Sequence, residues 1–270
     1  MPVDVSPFLH RKGAPKPALV PPEVLSLLEC GALSTVNLSE WLAMNQLSLA
    51  THLLREWGLD ALSQTLAERV HAGAGHTAPA RIQAIACFFN GHVATRFGSA
   101  FWHAMAVHPS DMARCWAVTM VGAQEDVSLG YLLRLCRPFA ADVHFGVREL
   151  AWLALRPHIS AHLDKSIAIL SLWAAHPNKN LRRFASESTR PRGVWCAHIK
   201  ALKENPALAE PILEPLKDDD ALYVQLSVGN WLNDAGKTRP DWVVSTCERW
   251  LSVSPVKATR HIVKRGLRNL

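Results

Sequence analysis

Three carboxylates stand out from this 270-residue chain by the company they keep: Glu149, Glu187 and Asp234. Each sits in a helix-like stretch rich in arginine and tryptophan. The densest is NLRRFASESTRPRGVW, residues 180–195, where Arg182, Arg183, Arg190, Arg192 and Trp195 surround Glu187 alone. Fixed carboxylates suit a reaction that develops positive charge, and one of them can orient or deprotonate a water. Arginine binds phosphate oxygens in pairs through its planar fork. Together these residue types would fit a polyanion that carries a cationic centre. The bland alternatives stay open. Glu187 among arginines also suits a surface ion pair, which contributes only about 0–1 kcal/mol, and Asp234 suits a turn or a cap.

The elements that position them form a repeat. Five segments align on an apolar-basic pair: Ala113-Arg114, Val147-Arg148, Leu181-Arg182, Val224-Gln225 and Thr259-Arg260, spaced by 34, 34, 43 and 35 residues. Four places further on come Ala117, Ala151, Ala185, Val228 and Val263. Turn residues precede four of the pairs: His-Pro-Ser-Asp at 108–111, Asp142, His-Pro-Asn at 176–178, and Asp218–Asp220. Helix, turn, helix at this period predicts an all-α, HEAT-like helical-repeat solenoid, because a helix pair buries its apolar face only by stacking on the next pair. In this register Glu149, Glu187 and Asp234 share one face of successive second helices. The arginines form two rows, Arg114, Arg148, Arg182 and Arg260, then Arg156, Arg190 and Arg268. Both rows are expected on a basic concave face.

Three regions are expected along the chain: a flexible basic arm at 1–22 with six prolines, a helical region at 23–80, and the repeats at 81–270 continuous with it. HAGAGHTAP at 71–79 reads as an internal loop. Net charge is +6, all of it in the second half. Residues 1–140 hold ten Lys and Arg against ten Asp and Glu, whereas residues 141–270 hold nineteen against thirteen. This asymmetry suggests an anionic partner for the C-terminal part. The six cysteines are scattered without CxxC or zinc spacing, which fits a reducing compartment. No HExxH motif occurs, so neither metal nor cofactor is expected. No apolar run reaches the ~20 residues that span a bilayer, and the N-terminus lacks a signal-peptide core. A cytoplasmic monomer without membrane contact is the expectation.

RRFASESTRPRGVW, with EPLKDDDALYVQLSVGNWLND at 214–234, resembles the bacterial DNA alkylation repair glycosylases of the AlkC/AlkD type, closer to AlkC. NLSEWLAMNQ at 37–46 is similar to that family's N-terminal region, and the resemblance runs over roughly 34–270. It implies HEAT-like repeats that bind duplex DNA and hydrolyse the N-glycosidic bond of cationic alkylated purines, chiefly 3-methyladenine. It also implies attack on the lesion without a deep pocket, unlike most glycosylases. Carried over by motif, Glu187 matches a carboxylate of the catalytic cleft, Asp234 the acid facing the deoxyribose, and Glu149 a third carboxylate at the lesion. Arg148, Arg156, Arg182, Arg183, Arg190, Arg192, Trp195 and Trp231 are the expected DNA contacts. Phe145 stands where the family has a larger Trp. Some AlkC-type members continue into an immunoglobulin-like domain, and this chain is expected to work without one. A HEAT-like scaffold that binds nucleic acid or protein without catalysis is the alternative.

Overall fold

The computed structural model describes residues 4–73 and 77–270, and every described regular element is a helix. The chain forms two compact units. The first comprises Met1–Glu125 with His144–Leu150, the second Asp126–Val143 with Ala151–Leu270. The first unit holds α1 (Pro22–Glu29), α2 (Leu38–Ala43), α3 (Gln46–Glu56), α4 (Ser63–Gly73), α5 (Ala78–Phe88), α6 (Thr95–Phe97), α7 (Ser99–Ala106) and α8 (Asp111–Gly122). The second holds α9 (Leu129–Ala140), then α11 (Leu163–Ala174), α12 (Lys179–Ser188), α13 (Lys200–Glu204), α14 (Glu210–Leu213), α15 (Leu222–Gly236), α16 (Pro240–Val253) and α17 (Lys257–Gly266). α10 (Phe145–Ala161) starts in the first and ends in the second.

The repeat register is visible as burial. Ala113, Val147, Leu181, Val224 and Thr259 are all buried, and so are the small residues four places on. These positions face inward in α8, α10, α12, α15 and α17, the second helix of each repeat. No strand occurs among the described residues.

The arginine that follows two of these buried residues has a structural task. Arg114 Nη1 donates to the His108 and Pro109 carbonyls, at 2.7 and 3.0 Å. Arg182 Nη1 donates to the His176 and Pro177 carbonyls, at 3.1 and 2.9 Å. The offsets match, five and six residues back. The turn histidines also act alike. Nδ1 of His108, His144 and His176 accepts the backbone N–H two residues on, from Ser110, Gly146 and Asn178. His-Pro turns are thus fastened from both sides, which satisfies carbonyls that the start of a helix would otherwise leave open.

The arm, expected to be flexible, makes side-chain hydrogen bonds over its described residues. Arg11 grips the buried Glu40 with two hydrogen bonds of 2.8 and 2.7 Å and reaches the Ser34 carbonyl. Asn37 Nδ2 donates to the Ala14 carbonyl. A buried carboxylate needs such a partner, and the sequence gives no hint of which arginine supplies it. Residues 1–3 of the arm and 74–76 of the Gly-rich loop lie outside the described residues.

Candidate active site

The site forms where α12 and α15 meet in the second unit. Asn178 precedes α12, and its side chain accepts the Asn180 N–H at 2.8 Å, a standard cap. Its buried residues Leu181, Phe184, Ala185 and Ser188 recur at three and four, which fixes one face inward. Glu187, one residue before the last of these, is only 5% exposed. On α15, Ser227 and Asp234 are seven apart and share a face. Asp234 is 4% exposed.

Arg190 joins the two carboxylates. Its Nη1 donates to Glu187 Oε1 at 2.7 Å, while Nε and Nη2 both lie 2.8 Å from Asp234 Oδ2. Ser227 Oγ donates to Glu187 Oε2 at 2.7 Å and contacts Ser186 Oγ at 2.8 Å. Arg183 stands 3.7 Å from Glu187 Oε2 and stacks over the Tyr223 ring at 4.3 Å. Burial pushes the Glu187 carboxyl up, but Arg183 and Arg190 with the Ser227 hydrogen bond outweigh it and hold the group below the ordinary carboxylate range. Burial likewise works against the Arg190 charge, and Glu187 and Asp234 overcome it. Glu187 therefore has both oxygens engaged. Asp234 differs. Among the described residues its Oδ1 meets only Lys237 Nζ, at 3.7 Å, beyond hydrogen-bond reach.

The expected DNA contacts divide sharply. Trp231 is fully buried, and its Nε1 donates to the Thr189 carbonyl at 3.0 Å. It is a core residue between α12 and α15, and its assignment to DNA is corrected. Arg156 is corrected too. It is 2% exposed and donates to the carbonyls of Ser188, Arg190 and Ala197, at 2.9, 2.6 and 3.1 Å. Those three bonds fasten the base of the loop at 189–199. Burial depresses the Arg156 charge, with Cys196, Glu187 and Asp234 opposing. Arg156→Met is expected to leave the buried Ser188 carbonyl and two part-buried ones short of a donor and cost about 2 kcal/mol. Urea unfolding checks it: the midpoint should fall with the m-value unchanged.

Arg182 is engaged by Asp219 and Asp220 as well as the His-Pro turn, at 2.6–3.0 Å to the carboxylates. Arg192 is half-buried, with its Nε unpartnered. Trp195 is the opposite of Trp231. It is 90% exposed, at the tip of the loop, with φ of +63°. A bulky residue in the left-handed region is strained, and here the strain accompanies an indole held in solvent. Arg148 and Glu149 lie in the first turns of α10, in the segment 144–150 of the first unit. Phe145 packs its ring against His144, with centroids 4.5 Å apart. Ser227 and Lys237 were not foreseen. Only their distances of seven and three residues from Asp234 on one helix could have marked them.

Fold and site together define an all-α helical-repeat protein with an arginine-bridged carboxylate pair. Residues 146–270, a little under half of the chain, match the model of the DNA alkylation repair enzyme family. A 117-residue stretch is 42% identical to YhaZ, an uncharacterized protein of Bacillus subtilis strain 168, covering 43% of this chain and 32% of that protein. The match thus spans about a third of that relative's length. Among solved structures, the alkylpurine DNA glycosylase AlkC of Pseudomonas fluorescens, bound to DNA containing an abasic-site analogue, superposes with a TM-score of 0.65 at 20% identity. That likeness covers 95% of this chain and 65% of the other. AlkD2 of Streptococcus mutans gives 0.60 at 22% identity, over 77% of this chain and 99% of the other. These two likenesses establish the fold as the helical-repeat fold of AlkC and AlkD proteins. Among the described residues no group of three or more His, Cys, Asp or Glu could hold a metal ion, and no helix is long and apolar enough to cross a membrane.

Proposed function

We propose that this chain is a DNA glycosylase that removes cationic alkylated purines, such as 3-methyladenine, from duplex DNA. The family of residues 146–270 supports the DNA alkylation repair part of the reading. The observation that carries the chemistry is Asp234. Arg190 locks one of its oxygens, and the other is left without a hydrogen bond beside the deeply buried Glu187. A carboxylate oxygen so placed accepts a hydrogen bond from a water.

An adenine methylated on N3 is positively charged and leaves as a neutral base. The C1′–N9 bond breaks with its electron pair passing to the base, and the sugar becomes an oxocarbenium-like cation. Asp234 stabilises that cation by its fixed charge and orients the water that adds to C1′, which then loses a proton. Glu187 holds Arg190, which in turn holds Asp234, so the carboxylate meets the sugar already oriented. Trp195 is free to contact the cationic base or the exposed partner strand by cation–π attraction.

The test is direct. Purified protein incubated with methylated duplex DNA should release free 3-methyladenine and leave abasic sites. Tight binding to the same DNA with no base released would instead establish the non-catalytic scaffold.

A further inference from the structure

Asp234 has more positive charge beside it than charge balance requires. Arg183 and Arg190 already stand against Glu187 and Asp234, two cations for two carboxylates. Lys237 comes on top of that balance. Its Nζ lies 3.7 Å from Asp234 Oδ1, the oxygen that Arg190 leaves open, and its side chain is half exposed. A half-exposed ion pair contributes little to stability. A fixed ammonium there also works against an oxocarbenium forming at the same oxygen. Neither role accounts for an amine at this place.

The backbone fixes where the side chain starts. Lys237 follows Gly236, the last residue of α15, and the next two N–H groups, of Thr238 and Arg239, donate to the Ala235 carbonyl at 3.0 and 2.9 Å. Gly236 packs against Leu270 so closely that a Cβ would meet it at 3.1 Å. From that point the four-carbon stem of a lysine can swing its amine about Asp234.

We infer that Lys237 is the nucleophile of a second activity, cleavage of the DNA strand at the abasic site that base removal leaves. The inference rests on the reading that the sugar of the lesion faces Asp234. Its substrate class is an abasic deoxyribose, which opens to an aldehyde at C1′. A lysine amine condenses with such a carbonyl. Lys237 passes a proton through Asp234 Oδ1 to water, and its lone pair adds to C1′. Loss of water leaves an iminium, in which a C1′–N bond has replaced the C1′–O bond. The fixed charge of Asp234 stabilises that cation. The iminium acidifies C2′–H, and its nitrogen is two bonds from C2′, so an amine and a carboxylate side by side reach both. Asp234 takes the C2′ proton. The electron pair of that bond forms the C2′–C3′ double bond as the C3′–O bond breaks, and the phosphate leaves on the 5′ end of the downstream strand. Water then hydrolyses the iminium and frees Lys237. The water lost is regained, and no oxidant enters.

The experiment uses the full chain and a labelled duplex with one aldehydic abasic site, made by enzymatic removal of a single uracil, so base release by this protein is not required. Sodium borohydride reduces the iminium and fixes protein to DNA. Parallel samples without borohydride are read for strand cleavage, with no heat or alkali. Wild type should form the covalent adduct and leave a 3′ α,β-unsaturated aldehyde. Lys237→Arg keeps the charge but cannot shed its proton, and it should lose both signals to the level of protein-free DNA. Lys237→Gln should do the same. Melting curves and binding of the same duplex verify that both variants are folded and in contact with DNA. An adduct undiminished in Lys237→Arg overturns the inference, because another amine is then the nucleophile. So does a cleaved strand that ends in a 3′-hydroxyl, which is the product of hydrolysis. Wild type that gives neither adduct nor cleavage overturns it too, and 3-methyladenine release from methylated duplex, measured alongside, decides separately whether the glycosylase reading stands. Adduct and cleavage without any such release would sink the glycosylase proposal and leave Lys237 in its role.

Discussion

Asp234→Asn is expected to abolish most excision while leaving DNA binding intact, with single-turnover release of 3-methyladenine falling on the order of 10²-fold or more. That corresponds to about 3 kcal/mol of barrier, typical of removing one preorganised electrostatic group. The amide keeps an oxygen for Arg190, so the geometry survives, but the charge facing the sugar is gone. Arg190 also retains Glu187 as a partner, which limits the loss of stability to roughly 2 kcal/mol, below the usual penalty for breaking a buried pair outright. Glu187→Gln should behave differently. Both Glu187 oxygens are already engaged, so it acts through Arg190 and its loss should slow release only about 10-fold, a fraction of a group's direct contribution. Thermal melting of each variant separates chemistry from folding. A folded Asp234→Asn protein that excises within a factor of three of wild type would contradict the assignment.

The second large effect concerns the charge of the lesion. A neutral base such as uracil or hypoxanthine leaves as an anion unless it is protonated, and Asp234 would repel that anion. Two unit charges 4 Å apart interact by roughly 4 kcal/mol at an effective dielectric of 20. Arg190 on the other Asp234 oxygen shields part of this. Halving the term leaves about 2 kcal/mol, or a further 30-fold against neutral lesions, added to their intrinsically poorer departure. No histidine falls in residues 180–195 or 222–236 to supply the missing proton. Matched duplexes that differ only in the lesion provide the measurement. Efficient uracil release would refute the mechanism even if 3-methyladenine were also excised.

The sequence carried the helical-repeat architecture because burial of one face is periodic, and periodicity survives in a string of letters. Ala113, Val147, Leu181, Val224 and Thr259 could be aligned without coordinates. The fate of the arginines could not. Arg156 and Arg190 occupy the same register position, yet one donates to three carbonyls and the other to two carboxylates. Which acceptor a long side chain finds depends on how two helices and a loop come together, and composition is silent on that. Trp195 and Trp231 pose the same problem. Both lie in motif stretches, and only packing separates a core indole from an exposed one.

The 43-residue spacing between Leu181 and Val224 exceeds the 34 of the repeats before it. The surplus lies between α12 and α15, where residues 189–199 form a loop. Both ends of that loop are shut. Arg156 binds the carbonyls of Ser188, Arg190 and Ala197, and Ile199 N–H donates to the Pro191 carbonyl at 3.1 Å. Gly193 is held by Cys196 and Arg156, which leave no room for a side chain. Val194 and Trp195 lie outside this closure, exposed at 52% and 90%. Their side chains are thereby decoupled from the folding of the repeats. The loop is a socket in which two residues can be exchanged while the scaffold beneath keeps its phase.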